Sequence, residues 1–378
     1  MLPEKLNNRL LARRKENSLR ELKINHDLID FSSNDYLGFA KNEVIHYQTD
    51  QFLKDRKIQL NGTSGSRLLT GNHFLFDEVE SYLSQLYNCE DALIFNSGYN
   101  ANIGLISSIA QRNDVILFDE LVHASIREGI QLANAKSYKF KHNDLEDLKN
   151  LIFKYRSGSD HIYVITESVF SMDGDQPDIH RLIKLCQKQN AFLIIDEAHA
   201  IGVTGNNGLG LIESDEITSQ IFARVITFGK AIGAHGAAIL GSSDLKNYLI
   251  NFAKSFIYTT SLPPPSLANI LVAHQFLKNC DEQQKLSSNI QFFKQKLTEL
   301  KFDSKFIQSD SAIHCCIIPN NVHVKNVSSK LQEKGFDVRP ILSPTVTKGK
   351  ERLRFCLHSY NSKEEISEVL SVLATFAL

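Results

Sequence analysis

The sequence predicts an α/β fold: a large domain on a mostly parallel sheet, then a smaller α/β domain. Three observations carry this. Short apolar runs with the length and β-branched content of buried strands recur between residues 92 and 240. Amphipathic stretches of helical period separate several of them. Chemistry-bearing side chains follow the runs closely, where an open α/β sheet places its ligand crevice. Strands alternating with helices mean βαβ units and parallel pairing.

Taken in order, the first thirty residues read as a charged helix and a short strand-like Leu28-Ile-Asp-Phe31. Phe74–Asn88 puts Leu75, Val79, Tyr82, Leu83 and Leu86 on one helical face. The strand candidates are Ala92–Phe95, Val115–Phe118, Ile162–Ile165, Phe192–Ile195, Val225–Phe228 and Ala237–Leu240. Leu145–Tyr155 and Ile179–Gln189 are helical between them. After Pro263-Pro-Pro265 the texture changes to one long helical stretch, about Leu267 to Leu300. Strand candidates Ala312–Ile318 and Leu353–Leu357 and a closing helix from about Lys363 follow. The expected division is an N-terminal helix and arm (1–45), a large domain (46–260) and a small C-terminal domain (261–378).

A chain of 378 residues, 42% apolar and 22% charged, is ordinary for a globular protein of this plan. A formal net charge of −1 gives no electrostatic case for nucleic acid or an anionic membrane. Residues 1–14 hold no signal-peptide core, and no apolar stretch is long enough to span a bilayer, so the expectation is a cytoplasmic protein. The six cysteines, at 89, 186, 280, 315, 316 and 356, form no Cys-x-x-Cys pair. They are read as structural, and no metal site is expected.

Lys230 closes Arg224-Val-Ile-Thr-Phe-Gly-Lys230, with Gly229, Ala231, Gly233 and Gly236 around it. Asp196 and His199 close Ala191-Phe-Leu-Ile-Ile-Asp-Glu-Ala-His199. A lysine and an aspartate at the ends of two strands suit pyridoxal phosphate (PLP): the amine forms a Schiff base with the aldehyde, and the acid keeps the ring nitrogen protonated. Asp196-Glu-Ala-His199 also spells a helicase box, but that chemistry needs an upstream phosphate loop, and the chain has none. Asn96-Ser-Gly-Tyr-Asn-Ala-Asn102 is a strand–turn–helix segment whose free N–H groups could take a phosphate, with Gly98 admitting close approach and Tyr99 starting the helix. His123 and Ser171 follow two further strands. Four strand ends thus offer His, Ser, Asp/His and Lys to one rim, a stronger signal than any one motif. Gly62-Thr-Ser-Gly-Ser-Arg67 lacks the last glycine of a hydrolase elbow and reads as a ligand-facing loop.

Together, Ser32-Ser-Asn-Asp-Tyr-Leu-Gly38, Gly62–Arg67, Phe170-Ser-Met-Asp-Gly174, Asp196–His199, Thr227-Phe-Gly-Lys230, Tyr258-Thr-Thr-Ser-Leu-Pro-Pro264 and Arg352-Leu-Arg354 resemble the α-oxoamine synthase family of fold-type I PLP enzymes. The resemblance implies an aspartate aminotransferase-like fold and a homodimer with shared active sites. It implies decarboxylative condensation of an amino acid with an acyl thioester carried by CoA or acyl carrier protein. The segment Lys230–Ala238 favours alanine and a pimeloyl thioester; family siblings use glycine or serine and other acyl chains. By the same resemblance Lys230 is the Schiff-base lysine, Asp196 pairs with the pyridinium nitrogen and His199 with the phenolic oxygen. His123 stacks on the ring, and Ser171 lies near that oxygen. The Gly98 and Tyr99 backbone and the Thr227 hydroxyl hold the phosphate, while Thr259 and Thr260 reach the phosphate of the other subunit. Arg354 and Asn34 grip the amino-acid carboxylate; Arg20 and Thr345 touch the acyl substrate. Three departures bear on the acyl side: a shortened stretch before Ser32, Leu209 where arginine is common, and Asn361 where histidine often stands.

Overall fold

The computed structural model describes residues 2–22, 27–212 and 218–377. Part of the shortened stretch before Ser32, residues 23–26, lies outside them. The chain forms two compact units: Leu37–Phe170 with Gln176–Gln283, and Met1–Tyr36 with Ser171–Asp175 and Gln284–Leu378.

The larger unit is built on a seven-stranded sheet. Its strands are β1 (Asp91–Phe95), β2 (Val115–Asp119), β3 (Lys136–Phe140), β4 (Ile162–Glu167), β5 (Phe192–Asp196), β6 (Ala223–Thr227) and β7 (Ala237–Gly241). Their spatial order is β1-β7-β6-β5-β4-β2-β3. All run parallel except β7, which is antiparallel to both neighbours. Each expected strand is present within a residue or two. β3 is additional: it lies at the edge, mostly exposed, and its Lys-Ser-Tyr-Lys-Phe sequence carries no apolar run. Lysines on an edge strand discourage further pairing and also hide the strand from a hydrophobicity reading.

Both faces of this sheet are covered, as a parallel sheet requires. Leu93, Ile116, Ile165, Ile194 and Val225 share one core with Ala101, Leu105 and Ile106 from the helix Gly98–Ile109 and Ile126 and Ile130 from Ala124–Leu132. Leu117, Val164, Leu193 and Ile195 point the other way, into a core with Leu148 and Ile152 from Leu145–Arg156 and Leu182 and Ile183 from Ile179–Lys188. Fully burying each of these Val, Leu and Ile side chains is worth about 1.5–3 kcal/mol. The alternation fixes which residues at the strand ends meet which helices.

The expected single helix from Leu267 to Leu300 is two helices, Pro264–Leu277 and Glu282–Glu299. The first opens with proline in its first turn, where a missing N–H costs nothing. Helical character on both sides of the break conceals it in the sequence. The Thr227-Phe-Gly-Lys230 turn continues through Gly233, whose N–H donates to the Lys230 carbonyl at 2.9 Å. Its φ is +64°, and a Cβ at this position would lie only 2.3 Å from the Ala40 nitrogen, so position 233 requires glycine.

The smaller unit holds a parallel pair, Ile29–Asp30 with Phe336–Asp337, and an antiparallel sheet of Arg339–Ile341, Arg352–Cys356 and Ile313–Ile317. Helices Asn321–Glu333 and Lys363–Ala377 pack together beside them. The segment Ser171–Asp175 is tied to this unit: Arg352 Nη1 donates to the Met172 carbonyl at 3.0 Å and to Asp173 Oδ1 at 2.5 Å. The Ser309 and Ser311 hydroxyls each donate to the Gly174 carbonyl at 2.8 Å.

Candidate active site

In the larger unit, register aligns the strand ends. Glu167 of β4 stands beside Asp196 of β5, and Asp196 beside Val225 of β6. Thr227 is two residues further on, so Glu167, Asp196 and Thr227 share one face of the sheet. It is the face covered by Gly98–Ile109 and Ala124–Leu132, so the polar strand ends meet the first turns of two helices.

Asp196 is buried, and both its oxygens accept N–H donors: Asn102 Nδ2 at 2.7 Å on Oδ2, and the Ala198 amide at 2.9 Å on Oδ1. His199 is buried one turn later. Lys230 is half-buried past the end of β6. His123 caps the helix Ala124–Leu132, its Nδ1 accepting the Ser125 amide at 3.2 Å and lying 2.8 Å from Ser125 Oγ. Partial enclosure of the ring lowers the His123 pKa; Asp196 opposes the shift and Lys230 adds to it.

Gly98 opens its helix, with Ser97 capping it through Asn100 N at 3.2 Å. A Cβ on residue 98 would lie 2.5 Å from Thr227 Cγ2. Only glycine therefore lets this helix N-terminus, with its unpaired N–H groups, come down onto Thr227. Such a helix N-terminus could hold a phosphate. Tyr99 is the second helical residue, so the helix starts one residue earlier than expected. Thr259 and Thr260 sit in a segment held by Asn96, whose Nδ2 donates to Thr259 Oγ1 at 3.2 Å and to the Thr260 carbonyl at 2.6 Å.

In the smaller unit, Arg354 is buried at the centre of a polar cluster. Its Nη2 donates to Asn34 Oδ1 at 3.0 Å and to the Tyr36 hydroxyl at 3.4 Å, and its Nε to the Ser171 carbonyl at 2.7 Å. Arg20 and Thr345, expected on the acyl side, are exposed and joined by an Nη2–Oγ1 bond of 3.2 Å. Asn361 is buried and binds His358, accepting from its backbone N–H at 2.9 Å.

Several residues to which the sequence alone assigns no role stand in this framework. Asn102, 3% exposed, and Ser125, fully buried, lie within motifs already quoted; the four-residue spacing from Gly98 puts Asn102 on the same helical face. Glu167 is buried, and its Oε1 accepts the His123 backbone N–H at 2.5 Å. Burial, reinforced by Asp196, pushes its carboxyl well above the usual range, with Lys230 pulling the other way. Glu197, next to Asp196, forms a buried pair with Arg224: Nε to Oε2 is 2.8 Å and Nη2 to Oε2 is 2.5 Å. Its Oε1 accepts the Leu211 amide at 2.8 Å. The second acid of the helicase-like motif is thus a structural anchor. Its partner, Arg224, could have been found from a charge sitting inside an apolar strand.

The aminotransferase class I and II family model matches residues 26–373. A protein named 8-amino-7-oxononanoate synthase from Emericella nidulans is 37% identical over 385 aligned positions, covering 96% of this chain and 93% of that protein. A crystal structure of 8-amino-7-oxononanoate synthase from Francisella tularensis is 30% identical with a TM-score of 0.77, covering 92% of this chain and 97% of the other. A serine palmitoyltransferase from S. paucimobilis with a bound PLP–myriocin aldimine has a TM-score of 0.88 at 24% identity, over 98% and 96% of the two chains. That last likeness is one of fold.

Proposed function

We propose, since this chain belongs to the aminotransferase class I and II family, that it condenses L-alanine with a pimeloyl thioester. The chain is a PLP-dependent enzyme of fold-type I architecture. In the proposed reaction the alanine α-carbon bonds to the thioester carbonyl carbon. The carboxylate leaves as CO2, the carrier leaves as its free thiol, and 8-amino-7-oxononanoate results. The observation that carries this choice is the likeness over 96% of the chain to a protein named for that product.

The residues present fit the cofactor: a glycine-only approach brings a helix N-terminus onto Thr227, and a buried aspartate with both oxygens engaged by N–H donors stands on the same face. When bound, PLP supplies an electron sink for the charge left on the amino-acid α-carbon. In this reading Lys230 carries the cofactor and then moves the α-proton. Asp196 holds the proton on the ring nitrogen, and His199 and Ser171 serve the phenolic oxygen. Gly98, Tyr99 and Thr227 bind the phosphate. His123 lies on the ring face and donates to the thioester carbonyl where negative charge develops. Arg354 and Asn34 take the amino-acid carboxylate; Arg20 and Thr345 serve the acyl substrate.

The same reading makes the enzyme a homodimer, with Thr259 and Thr260 serving the partner's phosphate. Support comes from the surface beside them. The loop Gly62–Gly71 is laced to Ser261 by bonds from Ser261 N to the Gly65 carbonyl, 3.0 Å, and from Ser261 Oγ to the Gly71 carbonyl, 2.6 Å. Leu68, Leu69 and Tyr258 are exposed on these segments, which supports reading them as part of a contact face. Among the described residues no helix is long and apolar enough to cross a membrane.

The test is a substrate panel: alanine, glycine and serine against acetyl, succinyl, pimeloyl and palmitoyl thioesters on CoA and acyl carrier protein. Preference for alanine with a pimeloyl thioester is the expected result. Turnover only with glycine and acetyl-CoA would replace this reading by a sibling activity.

A further inference from the structure

Four side chains form a directed hydrogen-bond chain in the larger unit. Asn102 Nδ2 contacts Asp196 Oδ2 at 2.7 Å and Ser125 Oγ at 3.0 Å. Ser125 Oγ contacts His123 Nδ1 at 2.8 Å. Donor and acceptor chemistry fixes the direction. An aspartate oxygen accepts, so the amide nitrogen of Asn102, not its oxygen, must face it. That nitrogen cannot accept, so Ser125 Oγ accepts its second hydrogen. The serine's own hydrogen is then free to go to His123 Nδ1. The Ser125 backbone N–H also points at Nδ1, at 3.2 Å, and can only donate. With two donors aimed at it, Nδ1 is the acceptor nitrogen, and the ring proton belongs on Nε2.

We propose that Asn102 and Ser125 are positioning residues that hold His123 as its Nε2–H tautomer, with Asp196 setting the direction of the chain. The proposal rests on the reading of His123 as the group that lies on the cofactor and donates to the thioester carbonyl. It adds which nitrogen donates and why. The anchoring is complete on the backbone side as well, because Glu167 accepts the His123 N–H at 2.5 Å. Both relay residues are shut away from solvent, Asn102 being 3% exposed and Ser125 fully buried. The charged or titratable groups facing His123 are Asp196, Lys230 and Glu167. The net effect of its surroundings is a lowered His123 pKa, which favours the neutral ring that has a tautomer to choose.

The direct test is nitrogen NMR on holoenzyme labelled with 15N-histidine, with the His123 signals assigned by their loss in His123→Ala. The expected result is one neutral form protonated on Nε2. In Ser125→Ala a mixture with the Nδ1–H form should appear, with a roughly tenfold fall in kcat, the scale of one hydrogen bond, and no change in cofactor absorbance. Ser125→Thr should restore both. In a His123→Ala background, Ser125→Ala should cost nothing further in kcat. A wild-type ring protonated on Nδ1 would overturn the proposal without needing any variant to fold. So would an unchanged tautomer together with an unchanged kcat in Ser125→Ala, or effects of the two substitutions that multiply. Absence of a PLP absorbance band in the wild-type protein would instead remove the reading beneath it, so the two failures are distinguishable.

Discussion

The rim of the seven-stranded sheet and the Arg354 cluster of the smaller unit each hold charged side chains in place, but by different means. On the rim, strand register does the alignment: Glu167, Asp196 and Val225 are neighbours because β4, β5 and β6 run parallel in step. Two helix starts then drop Gly98 and His123 onto the same face. Arg354 itself lies on the strand Arg352–Cys356, but its partners come from distant segments. Asn34 is 320 positions away in sequence and Ser171 is 183 away, and both bond to the guanidinium. A parallel sheet brings chemistry together by register, whereas the arginine cluster also needs polar bonds between segments far apart in sequence.

The contrast implies separable functions, and substitutions can break it. Lys230→Ala should show the largest effect, a fall in kcat of at least about 10³-fold with loss of the visible cofactor band. Retained activity would mean the rim is misread. Next is the anchor beneath the rim. Arg224→Met leaves Glu197 buried without its partner and should cost about 3–5 kcal/mol of stability, read by chemical denaturation. A cost under about 1 kcal/mol would show the pair to be dispensable. Arg354→Lys loses the planar fork and should lower kcat/KM for the amino acid by about 10²-fold with the cofactor spectrum unchanged. A shifted spectrum would mean that the two regions do not act separately.

The two units also differ, more mildly, in their response to pH. Away from the rim, burial lowers the pKa of His274 of the larger unit to about 4 and of His314 of the smaller to about 3. His274 Nδ1 contacts the Ile270 carbonyl at 2.7 Å. Between pH 6.5 and about 4 the unfolded chain binds a proton that folded His274 does not. Stability therefore falls as pH drops through that window, and for His314 down to about 3. His274→Gln should flatten the dependence of Tm on pH above about pH 4, and an unchanged slope would assign the titration elsewhere.

What can be read in the sequence follows the same divide. Asp196, Lys230, His123 and Gly98 are legible because each stands within a few residues of an apolar run that has to be a buried strand. Their supports are less visible. Asn102 and Ser125 lie in recognisable motifs, yet their use depends on two helices meeting over one sheet face. Arg224 and Glu197 each resemble a site charge until the structure pairs them. The edge strand Lys136–Phe140 is hidden because an edge needs no apolar face, and the break between Pro264–Leu277 and Glu282–Glu299 is hidden because helical pattern continues on both sides. The grouping of Asn34, Tyr36 and Ser171 around Arg354 rests on long-range closure that no local pattern encodes.

Borohydride reduction of the PLP-loaded protein, followed by peptide mass spectrometry, shows whether Lys230 carries the cofactor. The expected result is loss of the visible band on reduction and a single stable pyridoxyl adduct on the peptide containing Lys230. An adduct on a different lysine, or a reducible band that persists in Lys230→Ala, would contradict it.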